Sequence, residues 1–307
     1  MDLDPEAVGL RYALYVPNFG AFGSAQALAD LAVDAERAGW DGFFIWDHID
    51  RAFATDVTDP QVALAAIAVR TRRLRIGALV TPLARRRPWK VARETVALDR
   101  LSGGRLVFGA GLGSRGGAAP EWANLGEETD LRCRAQMLDE GLAILDGLWS
   151  GRPFSFSGRH YHVREAAFTP AALQTPRIPV WIAGYWPPTR GGPLARAARW
   201  DGVFPLLRPD VTDPVAAIAA GVEAVRSRRA PDAQLDVVHL APPGGAGQTD
   251  FAAAGVTWWL ERLTPDEFGA AWGGDWPAEA MRAHVRNGPP RPPGLPRLPE
   301  KGARADA

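Results

Sequence analysis

The sequence predicts an α/β protein, and within that class a (β/α)8 TIM barrel with an insertion after strand 4. Three observations carry the prediction. Short apolar runs bounded by glycine or proline recur along the chain, as strands buried on both faces do. The segments between them carry apolar residues at helical spacing, with serine or aspartate caps and proline in the first turn. Eight such units fit within 307 residues, which suits a closed barrel of roughly 250 residues better than an open sheet.

The first strand is Leu10 to Val16, stopped by Pro17, with Asn18 and Gly20 in the turn. Ser24 is placed to cap a helix over 25–38, where Leu28, Leu31, Ala32 and Ala35 share a face, and Gly39 closes it. Gly42-Phe43-Phe44-Ile45-Trp46-Asp47-His48 is the second strand, an unbroken apolar run that stops at an acid and an imidazole. Asp59-Pro60 opens a helix to about Arg70, and Leu74 to Pro82 is the third strand. Pro88 starts the next helix, Ser102-Gly103-Gly104 breaks it, and Arg105 to Gly113 is the fourth strand.

Between Ser114 and Thr175 the rhythm loosens into a long amphipathic helix, Arg132 to Trp149, and a hairpin over 154–163. The region 114–175 is therefore expected as an insertion on the site face. Strands at 179–183, 202–205, 235–240 and 255–260 resume the pattern, with helices at 194–199 and from Asp213-Pro214 to about Arg228. A last helix starts at Pro265, breaks near Gly273-Gly274 and resumes to about Arg286. One barrel domain over 8–287 is thus expected, followed by a Pro/Arg-rich tail over 288–307 that reads as extended or disordered.

Composition excludes several classes. Lys plus Arg (35) equals Asp plus Glu (35), so nothing draws the chain to nucleic acid or anionic lipid. No apolar run approaches the ~20 residues of a membrane span. Met1 to Pro5 is acidic and precedes a strand, so no signal peptide is expected, and the lone Cys133 suits a reducing cytoplasm. His160 and His162 share a hairpin strand without acidic or cysteine partners, so hairpin packing is expected and no metal. Trp258-Trp259 reads as a core pair at the barrel bottom, and His239 ends strand seven, a position from which it either faces the site or packs away from it.

The chemistry gathers at strand ends, where barrels build their sites. Asp47 and His48 finish the second strand, and Thr81-Pro82 the third. Gly109 and Gly111 finish the fourth, where absent side chains would let a flat ring lie against the backbone. After Ala183-Gly184, the loop with Thr189 and Arg190 precedes a helix and could hold a phosphate. The run Arg85-Arg86-Arg87 reads as a solvated loop near the entrance, with one arginine able to reach an anionic cofactor tail.

Asp47-His48, Ala84 to Pro88, Leu98-Asp99-Arg100-Leu101-Ser102-Gly103-Gly104-Arg105 and Gly109-Ala110-Gly111 resemble the bacterial luciferase-like monooxygenase family. So do Arg132 with Asp139-Glu140, Leu148 to Gly151, Pro179 to Gly184 and Ala197 to Gly202, in order and spacing from residue 10 to about 205. The resemblance implies a barrel oxidoreductase using reduced FMN with oxygen on a small organic substrate, supplied by a separate flavin reductase. The alternatives are hydride transfer with the deazaflavin coenzyme F-420, or a non-catalytic subunit. It also implies a homodimer, packed through the Ala-rich helices after strands one to three.

Carried over by position, the resemblance makes His48 the catalytic acid/base and Asp47 the strand-end acid beside it. Asn18, Ala78, Leu79, Val80, Thr81, Gly109, Gly111, Ala183, Gly184, Thr189 and Arg190 become cofactor contacts. Leu112 stands where luciferase has a phosphate-binding arginine. Ser114 stands where the sugar-phosphate dehydrogenases have a glutamate, which argues against that activity. In the deazaflavin branch the third strand carries a non-proline cis peptide. Aligned on Thr81-Pro82 it falls between Ala78 and Leu79, and the expectation here is a bulged strand with that bond trans.

Overall fold

The structure, a computed structural model, describes residues 9–50, 55–113, 120–188 and 192–298. Its strands are β1 (Arg11–Val16), β2 (Gly42–Ile45), β3 (Arg75–Ala78), β4 (Thr81–Pro82), β5 (Phe108–Gly111), β8 (Val180–Trp186), β9 (Gly202–Leu207), β10 (Asp236–Ala241) and β11 (Trp258–Arg262), all paired in parallel. The antiparallel pair β6 (Phe154–Ser157) and β7 (His162–Ala166) stands apart from them.

Hydrogen-bonded order runs β3-β2-β1-β11-β10-β9-β8-β5-β4. β3 and β4 are two halves of one barrel strand. β3 bridges to Leu106 through Ile76, with the Val107 amide donating to Ile76 O at 2.9 Å, while β4 pairs with Ala110 and Gly111. The ring is thereby closed, with eight strand positions.

Local chemistry explains the helices. Ser24 Oγ accepts from the Ala27 amide to start α1 (Ala25–Arg37), and Asp59 accepts from Gln61 and Val62 to start α2 (Pro60–Arg70). α3 (Pro88–Ser102) ends at Gly103, whose φ of 69° is the left-handed cap glycine tolerates. After β5 come the short α4 (Pro120–Ala123) and the 19-residue α5 (Leu131–Trp149), capped by Asp130. The others are α6 (Gly192–Ala197), α7 (Pro214–Arg226), α8 (Gln248–Ala253) and α9 (Ala278–Asn287).

The inside of the barrel is filled by one residue type after another from alternating strand positions: Ala13, Phe44, Leu79, Val107, Trp181, Phe204, Val238 and Trp258, all buried, with Leu260 above Trp258. A second, larger cluster lies between strands and helices. Trp258 thus sits low in the barrel against Phe44 and Trp181, at ring distances of 5.9 and 5.3 Å. Trp259 points the other way, under α8.

Three expectations change here. The segment 114–175 is not one insertion over the site: α5 packs on α3 as a barrel helix, and the β6–β7 hairpin lies along its outer side, Phe154 filling the space at Gly147. Among the segment's described residues, α4 reaches the mouth, where Glu121 meets His48. Residues 288–298 run along the N-terminal end of the barrel, where Arg297 bridges to Leu10 and Arg291 and Arg297 pair with Asp41. Residues 299–307 lie outside the described residues. And β3–β4 is bulged with a cis peptide, at Leu79–Val80 rather than at Ala78–Leu79, where the expectation was trans throughout.

Candidate active site

The C-terminal ends of the strands form a shelf. Above the sealed interior stand the half-buried side chains of Tyr15, Val80, Ala183, Leu206 and Leu240. A flat apolar surface of this kind, open to solvent above and dry below, fits the face of a fused-ring coenzyme. A second observation agrees: Trp46 Nε1, at the edge of the shelf, is buried without a hydrogen-bond partner, an N–H donor that a ring or substrate oxygen would satisfy.

The glycines serve the shelf indirectly. A Cβ at Gly109 would strike Ala78 O and Leu79, and one at Gly111 would strike Val80 at 2.6 Å. Their missing side chains make room for the β3–β4 bulge, not for the ring itself. Of the four bulge residues, Ala78, Leu79 and Thr81 are buried and Val80 alone reaches the half-buried layer. The Tyr15 hydroxyl donates to Leu79 O at 2.7 Å and fixes the bulge; burial pushes this phenol well above its usual range. Gly184 is half-buried, with its open side against Pro193. Thr189, Arg190 and Ser114 lie outside the described residues.

His48 stands at the rim, held from several sides. Asn18, fully buried, donates to His48 O at 2.8 Å and to Thr58 O at 2.7 Å, and accepts from the His48 amide at 3.2 Å. The amide of Asn18 is thus spent on backbone, which makes it a clamp for the strand-two loop. The imidazole Nδ1 lies 3.0 and 3.1 Å from the two carboxylate oxygens of Glu121 on α4. Phe19 and Trp46 flank the ring at centroid distances of 5.7 and 5.6 Å.

Glu121 is the residue that sequence reasoning missed. Its side chain is 4% exposed and also accepts from the Ile49 amide at 3.2 Å. Burial raises its carboxyl pKa, but the hydrogen bond and charge of His48, the Arg85 charge and the Ile49 amide outweigh that and hold it down at about 2. Arg85 Nη1 lies 3.0 Å from Glu121, and Arg85 Nη2 2.9 Å from Asp47. Arg86 closes on both oxygens of Asp47 at 2.8 and 3.0 Å. Asp47, its side chain wholly buried, is therefore bound to two guanidiniums, which hold it as a charge partner of the arginines. The arginine run is solvated only at Arg87: Arg86 is half-buried on Asp47, and Arg85 is buried and reaches two carboxylates.

α4 is docked by Trp122, fully buried, with Arg134 at 3.3 Å over its ring and Arg85 at 5.7 Å. Opposite, the segment after β11 brings Trp272 to 5.6 Å from Trp46 and 5.9 Å from Phe19, and Trp276 to 5.8 Å from Phe19, an aromatic wall next to His48. His239 does not face this mouth. It stacks on Phe251 at 3.8 Å beneath α8, and burial lowers its pKa to about 4. His160 bonds Gln136 instead of a metal partner, and among the described residues no cluster of metal-ligating side chains occurs.

A cavity of about 1010 Å³ opens at the other, N-terminal end of the barrel. Its charges are bound to each other, as in Arg11–Asp236 at 3.7 Å and Arg177–Asp201 at 3.1 Å, whereas the acid/base chemistry sits at the C-terminal mouth.

Comparison with known proteins agrees with this arrangement. A sequence profile described as luciferase-like monooxygenase matches residues 12–246. The chain belongs to the luciferase-like monooxygenase family. Among curated relatives, the F420-dependent glucose-6-phosphate dehydrogenase of Nakamurella multipartita is 30% identical over 188 residues, 60% of this chain and 53% of that protein. The enzyme of the same name from Microbacterium testaceum is 29% identical over 186 residues, 59% of this chain and 52% of the relative. The matches thus span about half the length of these relatives. Of solved structures, an F420-dependent secondary alcohol dehydrogenase, in complex with an F420–acetone adduct, superposes with a TM-score of 0.66 at 17% identity, covering 91% of this chain and 99% of that one. The F420-dependent tetrahydromethanopterin reductase of Methanopyrus kandleri gives 0.65 at 15%, covering 91% and 98%. At such identities the superpositions establish the luciferase-like barrel.

Proposed function

We propose that this member of the family is a deazaflavin-dependent oxidoreductase that moves a hydride between its coenzyme and a small organic substrate, with His48 as the proton-transfer group. The observation that carries the reading is the His48 imidazole, held by Glu121 at the rim of an apolar shelf. The choice of deazaflavin over reduced FMN with oxygen rests on the curated relatives, which are named as F420-dependent.

Val80, Ala183, Leu206 and Leu240 would hold the flat ring and keep water from its inner face. Bound there, the coenzyme supplies the carbon that accepts or gives hydride. In alcohol oxidation, His48 Nε2 takes the hydroxyl proton as the carbinol carbon gives up hydride; the carbonyl product leaves, and the imidazolium releases its proton to solvent. In reduction the same nitrogen donates. The aromatic wall of Trp46 and Trp272 favours a substrate with an apolar body, and Arg85 and Arg86 are already bound to carboxylates, which disfavours an anionic one. The reading needs no separate flavin reductase. Cytoplasmic location and a homodimer remain part of the proposal; Val62 and Val69 on α2 and Leu101 on α3, at 60%, 52% and 50% exposure, support a dimer face.

Titrating the purified protein with oxidised F-420 and, separately, with FMN tests the reading through coenzyme fluorescence. Saturable quenching of F-420 at micromolar concentration is expected. Binding of FMN alone returns the reaction to the oxygen-dependent class, and binding of neither points to a non-catalytic subunit.

A further inference from the structure

We propose that Glu121 is the positioning residue for His48: its carboxylate accepts the hydrogen bond of Nδ1–H, fixes the imidazole rotation and makes Nε2 the nitrogen that exchanges a proton with substrate. The proposal rests on the acid/base reading of His48, but its geometry does not depend on which coenzyme binds. Each degree of freedom of the histidine has its own constraint. Asn18 bonds both backbone groups of residue 48, Phe19 and Trp46 flank the ring, and the Glu121 carboxylate at Nδ1 distinguishes the two ring orientations. A half-turn of the ring would put a carbon against a carboxylate that is 4% exposed, leaving a buried charge short of its partner.

The groups around the pair are arranged to keep that carboxylate charged and still. Arg85 faces it from the loop after β4, the Ile49 amide from the strand-two loop, and Trp122 next to it is packed between Arg85 and Arg134 of α5. Asp47 and Arg86 lie one step further out and balance Arg85. A glutamate was not expected here, because Ser114 holds the place where related dehydrogenases carry one. Glu121, seven residues later and on a separate helix, brings a carboxylate to the histidine by another route.

The test is read first on the coenzyme-free protein. Nitrogen-15 NMR of labelled histidine at mildly alkaline pH, with the His48 signal assigned by its loss in His48→Gln, reports which ring nitrogen carries the proton. The expected wild-type result is the Nδ1–H form, passing to a mixture or to Nε2–H in Glu121→Gln. Turnover of the loaded Glu121→Gln enzyme should fall about 30-fold or more with KM within about twofold, and Glu121→Asp should recover part of it. An Nε2–H signal in the wild type overturns the proposal even if no Glu121 variant folds, and so does an unchanged tautomer in a folded Glu121→Gln protein. Failure of F-420 to bind would instead count against the functional reading while leaving the tautomer result to stand alone.

Discussion

Replacing Arg85 by methionine removes a cation that touches both buried acids of the site. Its side chain is 2% exposed, those of Asp47 and Glu121 0% and 4%, and the two contacts are 2.9 and 3.0 Å. Breaking a buried pair by removing one partner costs about 3–5 kcal/mol, because a charge stays behind without compensation. Here two carboxylates lose a partner, but Asp47 keeps Arg86 and Glu121 keeps His48 and the Ile49 amide, so the lower end, about 3 kcal/mol, applies. That is roughly 5 °C in melting temperature for a chain of this size.

A double-mutant cycle isolates the cause. Neutralising Glu121 removes one of the stranded charges, so Arg85→Met with Glu121→Gln should be less destabilised than the sum of the single variants by about 1–2 kcal/mol. Urea unfolding monitored by tryptophan fluorescence gives all four values. An Arg85→Met loss below about 1 kcal/mol, or strict additivity in the cycle, would refute the view that Arg85 neutralises the site acids; such a result would make it one more surface-type ion pair.

The pH dependence of stability follows from two buried groups. Glu121, lowered from 4.5 to about 2, stabilises the fold fully above its unfolded pKa, and that contribution is lost as pH falls from about 4.5 towards 2. His239, lowered from 6.5 to about 4, stays neutral in the fold while the unfolded chain takes up its proton, so its contribution, about 3 kcal/mol, is complete above 6.5 and gone near 4. His239→Phe should therefore flatten the stability curve between pH 6.5 and 4, and Glu121→Gln between 4.5 and 2, as read by denaturant titrations across that range. His48→Ala should lower turnover about 100-fold with coenzyme affinity within about twofold, and unchanged turnover would remove it from the mechanism. Trp272→Ala should raise the KM for an apolar alcohol or ketone about tenfold with kcat nearly constant, since the wall contacts substrate body and not the reacting bond. Light scattering at micromolar concentration should give twice the chain mass, and a monomer would end the dimer reading.

Most of the fold could be read from the chain because its signals are local. The caps at Ser24, Asp59 and Asp213 act on amides two or three residues away, and the apolar strands are continuous runs. Where the reading failed, the deciding partner lay far off. The Asp47–Arg85 pair joins positions 38 residues apart, and nothing in Arg85-Arg86-Arg87 distinguishes a buried clasp from a solvated run. The orientation of His239 depends on register: it pairs opposite Trp259, and since Trp258 points into the barrel, both residues of that pair point out. Counting alternation from Trp258 would have found it, had the register been known.

The site shows the same limit more sharply. His48 was legible because it ends an apolar strand, yet the group that gives its ring a direction is 73 residues away, on a four-residue helix without a pattern of its own. The glycines at 109 and 111 were noticed for the right reason, missing side chains, and given the wrong occupant: they face Leu79 and Val80, across the barrel seam. Both errors have one physical origin. A strand end specifies what it contributes to a site, but what meets it there is set by closure of the barrel. The acid that reaches His48 is therefore chosen by distance in the closed ring, not by its position in a motif.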